Sequence, residues 1–148
     1  MNIRAKIKVL IADDHQATRE LLGQLLGQEG FEIVLAADGD EASDRLGEGI
    51  DLAILDLKMP GRSGMDVLRE LRRYYPHVPA IVISSQFSKA RLLELVENAA
   101  QGYHEKPVDW PALRRQIWNI LRQQESLAGR PPLSSGPGSG VPAPDERG

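Results

Sequence analysis

The sequence predicts an α/β fold in which a doubly wound, five-stranded parallel sheet is covered by helices on both faces. Two observations point to it. Short apolar runs alternate five times with stretches of helical periodicity between residues 3 and 125, and strands alternating with helices imply parallel pairing through helical crossovers. The best of these runs, AILDL and AIVI, lack the polar alternation of a half-solvated strand, as expected for strands buried on both faces.

The elements follow in order. Residues 7–12 (IKVLIA) form a β-branched apolar run that ends at Asp13-Asp14. Residues 18–28 place Leu21, Leu22, Leu25 and Leu26 on a helical stripe, with Gly30 as the stop. Residues 31–36 read as a strand and 40–46 as a short helix. Residues 51–57 (DLAILDL) read as a buried strand. Residues 65–75 are helical, with Met65, Leu68 and Leu71 on one face. Residues 79–84 (PAIVIS) form the fourth strand, and 89–100 a helix carrying Leu92, Leu93, Val96, Ala99 and Ala100. Residues 102–105 are a weak fifth strand. Residues 109–124 form a long helix with Asp109 as N-cap and Pro111 in its first turn. A (βα)5 unit of this size suits the flavodoxin-like strand order 2-1-3-4-5, in which ligands bind beyond the carboxyl ends of the strands.

Those ends carry the chemistry. Strand one ends in Asp13-Asp14, strand three at Asp56, strand four at Ser84-Ser85 and strand five at Lys106-Pro107. Three carboxylates brought together repel one another, and a hard divalent cation removes the penalty. Mg²⁺ takes oxygen ligands and keeps several waters, typically using one or two carboxylates plus phosphate oxygens; Mn²⁺ is a natural substitute. A carboxylate beside such an ion is a nucleophile toward phosphorus. The Ser84 hydroxyl and the Lys106 ammonium are placed to meet phosphoryl oxygens, so positioning and electrostatics would carry most of the catalysis.

VLIADDH (9–15), ILDLKMPGRSGMDVL (54–68), PAIVISS (79–85) and GYHEKPVD (102–109) stand in this order and together span most of residues 6–122. In these stretches the sequence resembles the response-regulator receiver domain of two-component signal transduction, of the CheY-like superfamily. The resemblance implies that Asp13 and Asp14 are an acidic metal pair, that Asp56 is the phosphoacceptor, and that the Lys58 backbone carbonyl completes the metal shell. It makes Ser84 the switch hydroxyl, Lys106 the phosphoryl contact and Tyr103 the aromatic switch, and it puts a cis bond before Pro107. It implies partners as well: a sensor histidine kinase or histidine phosphotransfer protein upstream, and a downstream protein read through the surface of helix four, strand five and helix five. A phosphorylation-dependent homodimer would use that same surface. The expected activity is self-phosphorylation with intrinsic autodephosphorylation rather than enzymatic turnover. This sequence departs from the commonest pattern at Ser84 for Thr, at Ser85 for Ala, and at Asn98-Ala99-Ala100, where a glycine-containing turn is usual. Lys58 and Gln86 occupy variable positions expected to tune phosphoryl lifetime.

Composition narrows the alternatives. The chain has 148 residues, 41% of them hydrophobic, with a net charge of −3, which gives no electrostatic reason to expect direct nucleic-acid binding. Cysteine is absent, excluding disulfides and thiolate chemistry. No apolar stretch approaches the roughly 20 residues that span a bilayer, so a cytoplasmic location is expected. No Walker, dinucleotide-binding, EF-hand or zincin motif is present. From residue 126 to 148 a tail or linker rich in Pro, Gly and Ser is expected to be flexible, ending a single-domain regulator or leading to an output domain. His15 reads as first-turn surface, Trp110 and Trp118 as packing or surface residues, and Arg69, Arg72 and Arg73 as a solvated helix face. A pseudo-receiver that binds partners without phosphate, and a flavodoxin-like enzyme, are the competing functions. The complete acidic set with Lys106 argues against the first, and the lack of a phosphate or flavin loop after strand one argues against the second.

Overall fold

The computed structural model describes residues 6–128. Ten elements alternate without exception: β1 (Lys8–Ala12), α1 (Gln16–Gln28), β2 (Glu32–Ala36), α2 (Gly39–Arg45), β3 (Leu52–Asp56), α3 (Gly64–Tyr74), β4 (Ala80–Ser84), α4 (Lys89–Glu97), β5 (Gly102–Glu105) and α5 (Trp110–Ala128). The strands form one parallel sheet in the order β2-β1-β3-β4-β5, the flavodoxin-like arrangement.

Alternate side chains of each central strand enter opposite cores, which is why the strands read as unbroken apolar runs. Val9, Ile11, Ile54, Ile81 and Ile83 pack with Leu22, Leu26, Leu113 and Ile117 of α1 and α5. Leu10, Ala12, Leu55 and Val82 pack with Ala42, Leu68, Leu71 and Leu95 of α2, α3 and α4. Each of the large aliphatic side chains contributes about 1.5–3 kcal/mol by leaving water. The carboxyl ends are level: Ala12 pairs with Leu55, Asp56 with Ile83, and Ser84 with Glu105. The residues just past them therefore meet at one rim.

Local chemistry sets the boundaries. Gly30 adopts φ 98° after α1, the left-handed stop that glycine takes without steric cost. Ser63 caps α3 in a reciprocal box with Asp66. At Gly64 a Cβ would fall 2.2 Å from the Asp56 carbonyl oxygen, so only glycine lets α3 start this close to the end of β3. Asp109 Oδ1 accepts from Ala112 N–H at 3.1 Å, capping α5 as expected.

Two boundaries differ from the sequence-based expectation. Helix α4 ends at Glu97 rather than continuing to residue 100, because Ala99 takes φ 56° and turns the chain into β5. Helix α5 continues to Ala128, through the first three residues of the expected 126–148 tail; the rest of that segment lies outside the described residues. Among the described residues, no helix is long and apolar enough to cross a membrane.

Candidate functional site

The rim beyond β1, β3, β4 and β5 gathers five of the residues that sequence reasoning selects. Asp13 is fully buried, its N–H donating to the Ala36 carbonyl at 3.1 Å. Asp14 is more open to solvent. Asp56, at 2% exposure, is the last residue of a strand that is otherwise wholly apolar. Lys106 follows β5, and its own N–H donates to the Ser84 carbonyl at 2.8 Å. Its ammonium reaches across the rim to Asp13 Oδ2 at 2.9 Å and Asp56 Oδ2 at 3.2 Å. The Lys106–Pro107 peptide is cis.

Burial of an ionised carboxylate is costly unless it is paired, and the titration of the site reflects this. Burial, reinforced by the neighbouring Asp13 charge, raises Asp56 from 3.8 to about 6, although Lys106 and a hydrogen bond from the Lys58 backbone pull it back. Burial pulls Lys106 down, but contact with Asp13 and the charges of Asp13 and Asp56 hold it above the usual lysine value.

A cavity of about 390 Å³ opens over Asp56, lined by Leu57, Lys58, Ser84, Ser85 and Gln86 among others. Lys58 thus lines the same cavity as Asp56. Ser84 Oγ donates to the Gln86 carbonyl at 2.9 Å, so its hydroxyl is turned along the β4–α4 loop. Tyr103 is not part of this cavity. Its side chain projects from β5 at 51% exposure, with its ring 5.3 Å from that of Phe87.

The residues fit a divalent cation. Donor atoms of Asp13, Asp14, His15 and Asp56 all lie within 4.8 Å of one another. Asp13 Oδ2, also buried, faces the Lys106 ammonium at 2.9 Å, so these oxygens already draw positive charge to the rim.

Two further residues stand at this rim, where sequence reasoning did not place them. His15 is exposed at the start of α1, as expected, and its Nδ1 also lies 3.4 Å from Asp13 Oδ1, 3.4 Å from Asp14 Oδ1 and 4.0 Å from Asp56 Oδ2. Arg91, from the first turn of α4, lines the cavity opposite. Neither position has a spacing signal, since each is brought in by loop geometry. Trp118, in contrast, is packing as expected, with its ring 5.0 Å from Phe31 and its Nε1–H donating to Glu29 at 2.9 Å. Arg72 departs from the solvated face: its guanidinium donates to the carbonyls of Pro76 and Val78.

Known proteins share this fold. A sequence profile of the family "Response regulator receiver domain" matches residues 9–118. The transcriptional regulatory protein CpxR of Escherichia coli (strain K12) is 35% identical over 133 residues, covering 85% of this chain and 57% of CpxR. The chain thus spans little more than half the length of that relative. A receiver domain protein (CheY-like) from Methanospirillum hungatei JF-1 superposes with a TM-score of 0.80 at 27% identity, over 83% of this chain and 99% of that one. The CheX-CheY-BeF3-Mg²⁺ complex from Borrelia burgdorferi gives 0.73 at 28% identity, over 78% of this chain and 89% of the chain matched. With its sheet order, its rim of buried carboxylates and a profile match across most of its length, the chain belongs to the response-regulator receiver domain family of two-component signalling.

Proposed function

We propose that this receiver is a working phosphoacceptor switch, in which Asp56 takes a phosphoryl group from the phosphohistidine of a sensor histidine kinase or histidine phosphotransfer protein. The observation that carries this reading is the state of Asp56. It is a buried carboxylate facing an open cavity, 3.2 Å from an ammonium that also serves Asp13. A carboxylate with no function there would be a pure cost to stability.

In the reaction an Asp56 carboxylate oxygen attacks phosphorus, the P–N bond to the donor imidazole breaks, and the imidazole leaves with its bonding pair and takes up a proton. Asp13, Asp14, Asp56 and the Lys58 carbonyl would hold Mg²⁺, or Mn²⁺ in its place. When bound, the ion neutralises the carboxylates and draws charge from the phosphoryl oxygens. Lys106 remains within reach of Asp56 and meets a second oxygen. Ser84 exchanges its bond to the Gln86 carbonyl for a third. Intrinsic hydrolysis returns Asp56 to a carboxylate, so the protein carries out its own chemistry without turning over a separate substrate.

The output is a population shift. Ser84 turning to the phosphoryl group vacates space beneath β5, Tyr103 turns inward, and the surface of α4, β5 and α5 presents a new face to a downstream protein or to a second copy. The site works in the cytoplasm, where histidine kinases deliver phosphate, and this domain makes no direct contact with nucleic acid. The Borrelia neighbour was solved with beryllofluoride and Mg²⁺, which supports the same chemistry here. Incubation with acetyl phosphate and Mg²⁺ followed by intact mass measurement tests the reading. One added phosphoryl mass, absent in Asp56→Asn and absent with chelator, is expected. No mass gain in the wild type would leave only a constitutive binding module.

A further inference from the structure

The wall of the Asp56 cavity carries an arginine that the strand-end chemistry does not use. Arg91 belongs to the first turn of α4, where its N–H donates to the capping Ser88 Oγ at 3.1 Å. It lines the same cavity as Asp56, Lys58 and Ser84, so it brings a guanidinium to the space into which a group on Asp56 would grow. Its side chain is only lightly committed. Arg91 Nη1 donates to Glu94 Oε1 at 2.6 Å, with both side chains exposed, and exposed pairs of this kind are weak and readily exchanged. Glu94 does not depend on the contact, because its other oxygen, Oε2, accepts from Arg69 Nη2 of α3 at 2.8 Å. Arg91 can therefore leave without stranding the carboxylate.

Charge supplies the reason to leave. Asp13, Asp14 and a phosphorylated Asp56 carry about four negative charges, against about three positive from a divalent ion and Lys106. The phosphorylated rim is then short of about one cation. Among the described residues lining the cavity, Lys58 and Arg91 carry fixed positive charge, and only the arginine has a planar fork that bonds two phosphoryl oxygens at once. A phosphoryl oxygen accepts more than one hydrogen bond, so Arg91 adds to Lys106 and Ser84 rather than displacing them.

We propose that Arg91 is a phosphoryl ligand of the activated state: its guanidinium exchanges Glu94 for the phosphoryl oxygens on Asp56, while Glu94 keeps Arg69. This rests on the receiver reading for the phosphoryl group, and adds to it a ligand from outside the strand ends. No covalent bond changes in the exchange. The first turn of α4 is drawn to the site while Glu94 still ties the following turn to α3, so α4 senses the phosphoryl group directly as well as through Ser84.

Beryllofluoride with Mg²⁺ stands in for the phosphoryl group, and its affinity for the full chain, read from the protein-bound ¹⁹F resonances, tests the exchange. Arg91→Ala should bind it roughly fivefold or more weakly, and Arg91→Lys, which keeps the charge without the fork, should fall between. Glu94→Gln frees the arginine and should bind it about twofold or more tightly. The same Glu94→Gln change in the Arg91→Ala background should have no effect, because the carboxylate then has no phosphoryl ligand to restrain. A folding defect cannot mimic changes of opposite sign that run through one arginine. An Arg91→Ala affinity within about twofold of the wild type overturns the proposal and leaves the receiver reading intact. So does a Glu94→Gln effect that survives the loss of Arg91, since Glu94 would then act through the general field of the rim. Failure of the wild type to bind beryllofluoride at all would sink the receiver reading itself, and the proposal with it.

Discussion

The Lys106 ammonium stands 2.9 Å from Asp13 Oδ2, closer than to Asp56 Oδ2 at 3.2 Å. One cation from β5's end thus serves two buried carboxylates from β1 and β3. It is their internal counter-ion, and it holds the rim together while leaving Asp56 in contact with the cavity.

Lys106→Met removes that charge and leaves Asp13 and Asp56 buried side by side. Breaking a buried ion pair by deleting one partner costs about 3 kcal/mol or more. The variant is expected to lose about that much stability in urea at pH 8 without metal, and to regain much of it in Mg²⁺, which neutralises the same oxygens. An unchanged midpoint in metal-free buffer would show that the ammonium is a bystander.

Asp56→Asn acts in the opposite direction. The folded protein holds the Asp56 proton up to about pH 6, against 3.8 for the ordinary group. Wild-type stability from this group is therefore complete below about pH 3.8 and is lost as pH rises through about 6. A shift of this size corresponds to at most about 3 kcal/mol. Asn carries no such dependence, so the variant should melt above the wild type at pH 8 and the gap should close toward pH 4.5. Thermal melts at both values in EDTA decide it; a gap independent of pH would contradict the titration argued here.

The part of the site that was legible in the sequence is the part fixed by strand ends. An Asp at the end of an apolar strand announces itself, and Asp13, Asp56, Ser84 and Lys106 meet because parallel strands in level register must bring their carboxyl ends together. What stayed hidden depends on single backbone angles. His15 stands at the rim because it follows the acidic pair directly as the N-cap of α1, with its side chain still largely exposed, and no periodicity encodes that. Arg91 reaches the cavity through the path of the β4–α4 loop. The early end of α4 was equally unreadable, since Val96, Ala99 and Ala100 continue the helical stripe while Ala99 itself adopts φ 56°.

That alanine provides a stability test away from the chemistry. The left-handed region costs an L-residue about 1–2 kcal/mol, and glycine avoids the cost while giving back about 0.4–1 kcal/mol through the entropy of its unfolded chain. Ala99 is exposed, so no packing is lost in Ala99→Gly. The variant should gain about 0.5–1 kcal/mol, read as a higher urea midpoint with unchanged slope. A lower midpoint would mean that the turn after α4 is not strained.

In the proposed switch, signalling output depends on the coupling of Ser84 to Tyr103, and each residue has its own partner. Ser84 Oγ donates to Gln86, while Tyr103 is half-exposed against Phe87. If the hydroxyl moves to the phosphoryl group, the ring should follow by occupying the space released; if it stays on Gln86, the ring has no reason to move. Fluorotyrosine at position 103, followed by ¹⁹F NMR, reports this directly. Beryllofluoride with Mg²⁺ should shift the wild-type resonance to a buried environment. Ser84→Ala should still bind beryllofluoride, because Asp56 and Lys106 remain, yet leave most of the ring population outside, since losing one charge-assisted hydrogen bond of about 1.5–3 kcal/mol shifts a two-state equilibrium roughly tenfold or more. A ring that turns inward equally well without the Ser84 hydroxyl would separate Tyr103 from the phosphoryl site, and the route to α4 and α5 would have to run through the β4–α4 loop instead.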